Sequence, residues 1–271
     1  MKRRLRLPGE SLECIERRCR RIGVVFFVVV VAALCLISRA KAQDNYVPIY
    51  AASVGRAILK DCTPAQRAKL ILGANPNSGP HNKRLADSAA VIDQARRDKV
   101  RFTFYIDGMA GVKYSPLIVR TDKGWQIVQL KKPRVKTPAE IRTERDAYVA
   151  MYGGEPWGWF LDDIKPGMTA MLSEVATWKG TIILNPGTHF QPPAFLPAAW
   201  VVIHEDEDPW KPTMLTAWEQ ANLKRCVVMQ LNQSRTSLPA FADVTKKLAA
   251  RYASELSDKG GAYNNKPLLL P

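Results

Sequence analysis

Short apolar segments alternate with polar, helix-patterned stretches along most of the chain, and this alternation constrains the fold more than any other feature. Continuous apolar strands separated by helices are typical of a parallel sheet, because both faces of such a sheet are covered by helices. The segments predicted to be strands are 46–52, 68–76, 100–107, 157–163, 180–187, 198–205 and 225–233. The pattern therefore predicts an α/β protein built on one large parallel sheet.

Helical spacing of apolar residues fills several of the intervals between these strands. The predicted helices are 82–99, 137–152, 166–178, 212–223 and 238–256. The second of them opens with Thr137, Pro138 and Glu140, which is the pattern of a capping box with proline in the first turn. This segment therefore carries its own helix-start signal.

The strand and helix order predicts a (β/α)8 barrel, with the eighth strand near 261–265. The segments "LIVRT" and "WQIVQL" flank "DKG" between 117 and 130, which predicts a β-hairpin inserted after strand three, over the top face of the barrel. A doubly wound open sheet is the alternative. Neither a GxGxxG motif nor a P-loop follows any predicted strand, which favours the barrel.

The first 42 residues have the composition of a targeting segment rather than of a domain. A basic stretch precedes an unbroken apolar run at 22–37, and Ala40 and Ala42 then form a small-residue cleavage site before Gln43. The segment 1–42 is predicted to be a secretory signal peptide, with an uncleaved N-terminal membrane anchor as the alternative. Both interpretations place a single barrel domain, 43–271, outside the cytoplasm, secreted or periplasmic.

Charge and cysteine content exclude several classes of function. Ten of the 40 lysines and arginines and three of the 25 acids precede Gln43, so the remainder has a net charge of +8. It contains no basic helix or aromatic-basic motif, and we expect no nucleic-acid partner. Cys62 and Cys226 could form one disulfide or remain two buried thiols. The absence of a CxxC motif or Cys/His cluster predicts no metal site, and no cofactor motif is present.

Acids, amides and phenols stand where the predicted strands end, which in a barrel is the face that carries the chemistry. They are Tyr50, Asn75, Tyr105, Asp107, Asp162, Asp163, Asn185, His204 and Glu205. Such side chains suit a sugar, whose hydroxyls need both donors and acceptors, and two opposed carboxylates are the minimal apparatus for cleaving a glycosidic bond. Each motif also has a plainer interpretation: Asp163 as a helix cap, "NPNSGP" and "NPG" as turns, and the acids after His204 as a solvated loop.

In this order the motifs resemble the spherulin-4-like, or spherulation-specific, family. The matching segments are "VPIY", "ANPNSGP", "FYID", "GWFLDD", "LNPG" and "VVIHE", from Val47 to Glu205, with weaker continuity to Ser254. The resemblance implies an exported barrel that hydrolyses α-1,4-linked galactosamine and N-acetylgalactosamine polymers internally. It also implies catalytic acids at Asp162, Asp163 and Glu205, although the family pattern has Glu where this chain has Asp163.

The first hypothesis is a glycoside hydrolase acting on an amino-sugar exopolysaccharide. Asp162 and Glu205 serve as acid and nucleophile or base, in either order, and Asp163 orients or tunes them. The predicted substrate-binding residues are Tyr50, Asn75, Tyr105, Asn185 and His204. A non-catalytic carbohydrate-binding surface protein on the same barrel is the alternative, and an exported metal-assisted hydrolase is a third interpretation.

Overall fold

Eight parallel strands form a closed barrel in the computed structural model, which describes residues 43–49, 51–76, 79–111, 117–255 and 267–269. The predicted leader, 1–42, lies outside these described residues. The barrel strands are β1 (Asp44–Ile49), β2 (Leu70–Ala74), β3 (Arg101–Asp107), β8 (Gly158–Asp162), β9 (Thr181–Leu184), β10 (Trp200–Asp206), β11 (Cys226–Gln233) and β12 (Ala250–Glu255). They are arranged in chain order, and β12 pairs with β1 to close the barrel. The (β/α)8-type prediction is confirmed.

Helices of five to fifteen residues connect most of the barrel strands. The α-helices are α1 (Ala52–Asp61), α2 (Pro64–Lys69), α3 (Ala86–Arg97), α4 (Pro138–Tyr152), α5 (Thr169–Val175), α6 (Ala217–Ala221) and α7 (Leu238–Thr245), with short 3-10 helices at Pro212–Met214, Leu223–Arg225 and Arg235–Ser237. The capping box of α4 is confirmed, because the Thr137 hydroxyl accepts from the Glu140 N–H and the Glu140 carboxylate accepts from the Thr137 N–H. Among the described residues, no helix combines the length and apolar character needed to cross a membrane.

The insertion after β3 is confirmed and consists of a neck and a hairpin. Its strands are β4 (Met109–Ala110), β5 (Leu117–Thr121), β6 (Gly124–Val128) and β7 (Arg134–Val135). Strands β4 and β7 pair as the neck, and β5 and β6 pair antiparallel across a two-residue turn. Leu117 and Ile118 are buried and β5 contacts α4, so this strand packs on the helical layer and not over the top face as the sequence predicts.

Aromatic side chains fill the barrel lumen beneath the strand ends. Tyr46 stacks on Phe160 with ring centroids 5.3 Å apart, and Tyr105 stacks on the same ring at 6.0 Å. The Tyr46 hydroxyl hydrogen bonds Thr103 Oγ1 at 3.1 Å. Gly73 leaves the space that the phenol needs, since a Cβ there would lie 2.3 Å from the Tyr46 oxygen. Burial of each ring stabilises the fold by about 1.5–3 kcal/mol, so this layer is a rigid floor for the residues above it.

A second aromatic cluster fixes the outer faces of β3 and β8 to the helices. Phe104 of β3 stacks on Tyr148 of α4 with ring centroids 4.4 Å apart, and Trp159 of β8 meets Trp178 edge-on at 5.2 Å. All four side chains are buried. Because residues of a strand alternate between its two faces, this outward packing of Phe104 and Trp159 directs Tyr105 and Phe160 into the lumen.

The eighth strand differs from the prediction. Helix α7 ends at Thr245, and β12, which the sequence predicts to be the end of that helix, takes the place expected for 261–265; residues 261–266 lie outside the described residues. Ala250 and Tyr252 join the main core, whereas Arg251 donates to the Ala242 carbonyl of α7, so the segment alternates as a strand does. Its alanine-rich sequence favours a helix locally, but pairing with β1 and β11 satisfies two open barrel edges.

Three smaller differences follow from features that the sequence pattern does not reveal. Helices α1 and α2 lie between the first two strands, where the sequence predicts none. The predicted helix 212–223 divides into a 3-10 turn, α6 and a second 3-10 turn, because the α6 cap at Thr216 starts a new helix inside it. Cys62 and Cys226 are both free and buried, so the two-thiol alternative is the one observed.

Candidate active site

Asp162 and Glu205 meet at the carboxyl-terminal end of the barrel through one shared hydrogen-bond donor. Asn185 Nδ2 donates to Asp162 Oδ1 at 2.8 Å and also to Glu205 Oε2. Because both oxygens lie within hydrogen-bond length of the same nitrogen, they are at most about 6 Å apart. Asn185 directly follows β9, which lies between β8 and β10, and it is buried. The order of the strands in the barrel therefore brings Asp162 and Glu205 together, although they are far apart in the chain.

Several donors converge on the Asp162 carboxylate. Tyr105 Oη donates to Asp162 Oδ2 at 2.7 Å, and the backbone N–H of Asp163 and the amide of Asn185 also donate to this carboxylate. Burial raises the pKa of Asp162 above its ordinary value, while these hydrogen bonds favour the ionised form and oppose the rise. The three donors therefore compensate part of the desolvation that an anion suffers at this position.

The Glu205 carboxylate has fewer hydrogen-bond donors than that of Asp162. Burial, reinforced by the negative charge of Asp162, raises the pKa of Glu205 from 4.5 to about 7, and the hydrogen bond from Asn185 opposes this rise only in part. The two acids thus share one amide but differ in their other partners. Such a difference separates a pair into one acid that keeps its proton near neutral pH and one that is stabilised as an anion.

A β-bulge in β10 decides which residue of "VVIHE" faces Asp162. Val202 pairs with Val227 of β11, but the register then shifts, so that His204 pairs with Val228 and Glu205 with Met229. Paired residues of neighbouring parallel strands share a face, and Val202, Val227 and Met229 all belong to the main core. Without the extra residue, His204 would share the face of Val202 and Glu205 would point to the other side.

Asp163 lies beside the pair without joining it. Its side chain is 45% exposed and lies 3.8 Å from Lys165 Nζ, and its backbone has φ of 54°, in the left-handed region that non-glycine residues seldom adopt. The sharp turn lets the Asp163 N–H reach back to Asp162 and lets the Ile164 N–H donate to the Asn185 carbonyl. Asp163 therefore contributes through its backbone, while its carboxylate faces a lysine.

The remaining predicted site residues do not gather around this pair. Tyr50 lies outside the described residues. Asn75 is buried, and its side-chain amide has no hydrogen-bond partner among the described residues; it borders a cavity of about 20 Å³, large enough for one water. His204 is turned away from Glu205 by the bulge, and its Nε2 lies 2.9 Å from the Asp208 carbonyl. Of the predicted substrate-binding residues, Tyr105 and Asn185 are those in contact with the acids.

Asp107 joins the site, although its place in the sequence indicates only a strand end and no functional role. It pairs with Asp162 across β3 and β8, and it is 6% exposed. Burial raises its pKa to about 6, Lys136 opposes the rise, and the charges of Asp162 and Asp163 add to it. The signal that could have identified Asp107 is the alternation along β3, which puts Thr103, Tyr105 and Asp107 on one face.

Other features of the molecule lie apart from these acids. Among the described residues, no group of His, Cys, Asp and Glu side chains is arranged to hold a metal ion. A groove of about 720 Å³ lies between α1 and the segment 267–269, and none of the predicted site residues lines it. The site therefore consists of acids, one shared amide and one phenol above an aromatic floor.

This arrangement can deliver a proton and stabilise a developing positive charge on the same small molecule. Both Asp162 and Glu205 are only partly buried, so a ligand can reach them from solvent. The loop after Glu205 is fixed by Gln230, whose amide donates to the Asp208 carbonyl and accepts from the Trp210 N–H.

Comparisons of the sequence with protein-family models and with curated proteins found no match.

Proposed function

We propose that this protein is an exported glycoside hydrolase that cleaves an amino-sugar polysaccharide, with α-1,4-linked galactosamine or N-acetylgalactosamine polymer as the substrate class. The observation that carries the proposal is the bridge from Asn185 to Asp162 and Glu205, which holds two unlike acids side by side at the open end of the barrel. The substrate class rests on the resemblance of the ordered sequence motifs, and the chemistry rests on the acids.

The environments of the two acids favour one division of roles. Glu205, with a pKa of about 7, is the proton donor to the glycosidic oxygen, because it keeps its proton near neutral pH. Asp162 is the nucleophile, because Tyr105, Asn185 and the Asp163 N–H all stabilise its anion. Asp163 has no direct part in this scheme.

The short separation of the acids favours a retaining mechanism, for which carboxyl groups about 5–5.5 Å apart are typical. Asp162 Oδ attacks the anomeric carbon while the bond to the leaving oxygen breaks, and that oxygen takes the proton of Glu205. The Glu205 carboxylate then removes a proton from water, whose oxygen attacks the same carbon and releases Asp162. Both acids return to their starting protonation states.

The test is polymer hydrolysis by the purified 43–271 domain and by Glu205→Gln. We expect wild-type protein to shorten α-1,4-linked galactosamine or N-acetylgalactosamine chains and to release reducing ends of retained configuration, read by NMR. Glu205→Gln should lower the rate by a factor of about 10³ or more. Glu207→Gln, an exposed acid on the same loop, is the matched control and should keep wild-type rates. Equal turnover by Glu205→Gln and wild type would refute the proposal.

A non-catalytic carbohydrate-binding protein is the second candidate. It is favoured by Asp163, which replaces the glutamate of the family pattern and directs its carboxylate toward Lys165 at the protein surface. If the family's second acid is indispensable, the barrel binds its glycan without cleaving it. Oligosaccharide binding by calorimetry with no reducing ends released would select this candidate.

A further inference from the structure

Asp107 occupies the position next to Asp162 on the neighbouring strand. The two residues are direct partners in the β3–β8 pairing, so their side chains emerge on the same side of the sheet. Tyr105, two residues earlier on the same face of β3, donates to Asp162. The charge of Asp162 raises the pKa of Asp107, which is consistent with this proximity.

The protein donates a hydrogen bond to one of the two oxygens of the Asp107 carboxylate. Its Oδ1 accepts from the Met109 N–H at 2.7 Å, but Oδ2 has no hydrogen-bond partner among the described residues. The charge of Lys136 opposes the rise in the Asp107 pKa, but Lys136 Nζ donates to the Asp107 backbone carbonyl at 2.8 Å and forms its ion pair with Glu144 at 2.7 Å. A carboxylate that is 6% exposed thus keeps one oxygen open beside the reacting acid.

Little of this residue is exposed, so a donor at the open oxygen would offset part of the cost of burying the carboxylate. A buried polar group without a partner destabilises a fold, and a buried charge does so more strongly. The neck of the hairpin insertion, β4 with β7, nevertheless holds Asp107 in place through the Met109 N–H and through Lys136. The surrounding structure therefore holds Oδ1 in place and leaves Oδ2 accessible at the rim of the site.

We propose that Asp107 is a substrate-binding residue whose Oδ2 accepts a hydrogen bond from a hydroxyl of the sugar unit that lies against Asp162. This inference rests on the proposed function for the identity of the ligand as a sugar. A sugar hydroxyl suits this acceptor, because it can donate an O–H to Oδ2 at the rim of the site. The hydrogen bonds from Asn185 to Asp162 and Glu205 stay in place. Asp107 therefore positions the ring for attack by Asp162.

The experiment measures oligosaccharide binding in a background that cannot turn over. An α-1,4-linked N-acetylgalactosamine tetrasaccharide is titrated into Glu205→Gln and into Glu205→Gln carrying Asp107→Asn, by calorimetry. Asparagine keeps the size of the side chain and an acceptor for Met109, and it removes the charge. We expect binding to weaken about 10- to 100-fold, which corresponds to losing a hydrogen bond to a charged group. Asp122→Asn, in the exposed hairpin turn, is the matched control and should leave binding unchanged.

The outcomes separate this inference from the proposed function. Binding by Asp107→Asn within twofold of its background, at an unchanged melting temperature, overturns the role of Asp107 even if wild-type protein hydrolyses the polymer. A loss seen only with a galactosamine tetrasaccharide also overturns it, since the donor is then an ammonium group. If wild-type protein cleaves nothing but Asp107→Asn loses binding, the proposed function fails and the inference stands.

A second measurement serves if Asp107→Asn does not fold. With Asp107 intact, binding of the same tetrasaccharide to Glu205→Gln near pH 6 should release protons, because the ligand binds the ionised carboxylate. Proton release is measured by calorimetry in buffers of different ionisation enthalpy. Binding with no proton exchange between pH 5 and 7 overturns the inference.

Discussion

Two glutamates whose pKa values are raised by burial have opposite surroundings in this protein. Glu144, on helix α4, forms an ion pair with Lys136 in which both side chains are almost fully buried and the nearest atoms are 2.7 Å apart. Glu205, at the mouth of the barrel, has an aspartate beside it and receives a hydrogen bond from Asn185. Burial raises the pKa of both glutamates, but only Glu144 has a cation in contact to oppose the rise.

Burial alone therefore does not mark a functional acid. A buried acid with its own cation serves the fold, because removal of either partner leaves the other charge unpaired. A buried acid next to another acid weakens the fold, and such groups are retained where their shifted pKa is used. The same substitution, glutamate to glutamine, should therefore have opposite effects on stability at the two sites.

The largest expected effect is at the paired site. Glu144→Gln removes the carboxylate that forms the buried ion pair with Lys136, which should lower the free energy of unfolding by about 3–5 kcal/mol. Urea unfolding followed by circular dichroism measures the change. Asp146→Asn, an exposed acid on the same helix, is the control and should shift stability by about 0.5 kcal/mol or less. A loss below about 1 kcal/mol for Glu144→Gln would remove the contrast between the two glutamates.

Substitution of Glu205, at the mouth of the barrel, should change the free energy of unfolding in the opposite direction. The pKa of Glu205 is about 7 in the folded protein against an ordinary 4.5, so the folded state binds more protons between these values and stability falls as pH rises through that window. Glu205→Gln removes this penalty and should raise the free energy of unfolding at pH 8 by about 1–3 kcal/mol, with little change at pH 4.5. Thermal unfolding of both proteins at the two pH values tests the sign. A lower melting temperature for Glu205→Gln at pH 8 would contradict it.

A smaller effect is expected for the phenol that stabilises Asp162. Tyr105→Phe removes the donor to Asp162 Oδ2, which raises the pKa of Asp162 further. Because the nucleophile acts as an anion, the acidic limb of the pH–rate profile should move to higher pH, with kcat/KM about tenfold lower on that limb. The alkaline limb, set by Glu205 losing its proton near pH 7, should stay in place. A uniform fall at every pH would indicate a structural role for Tyr105 instead.

The smallest effect is expected at Asp163. Two substitutions there distinguish the role of its backbone conformation from the role of its carboxylate. Asp163→Gly suits the φ of 54° and should change stability by less than about 1 kcal/mol and leave hydrolysis within about twofold of wild type. Asp163→Ala, which cannot relieve the left-handed strain, is the comparison and should be the less stable of the two. Loss of activity in Asp163→Gly would show that the carboxylate itself is needed.

Much of the fold could be predicted because its signals are local. Apolar and aromatic residues dominate the strands that end at Asp107 and Asp162, and Thr137 and Glu140 start α4 by their own hydrogen bonds. Asp162 and Glu205 could be selected as partners because strand ends of a parallel barrel meet at one face. The sequence predicts a helix for 250–255 because its alanines favour one locally, whereas the open edges of two distant strands make this segment a strand.

The positions of acids and amides at the ends of buried strands can be read from the sequence, because strand alternation and helix caps depend on neighbouring residues. Which of these side chains contact one another depends on contacts between strands that are distant in the chain. The β10 bulge turns Glu205 inward and His204 outward, Asn185 bridges the acids from the strand between them, and Asp107 comes to lie beside Asp162. These choices depend on the register of strands that are far apart in the chain, and register is set by packing of the whole barrel.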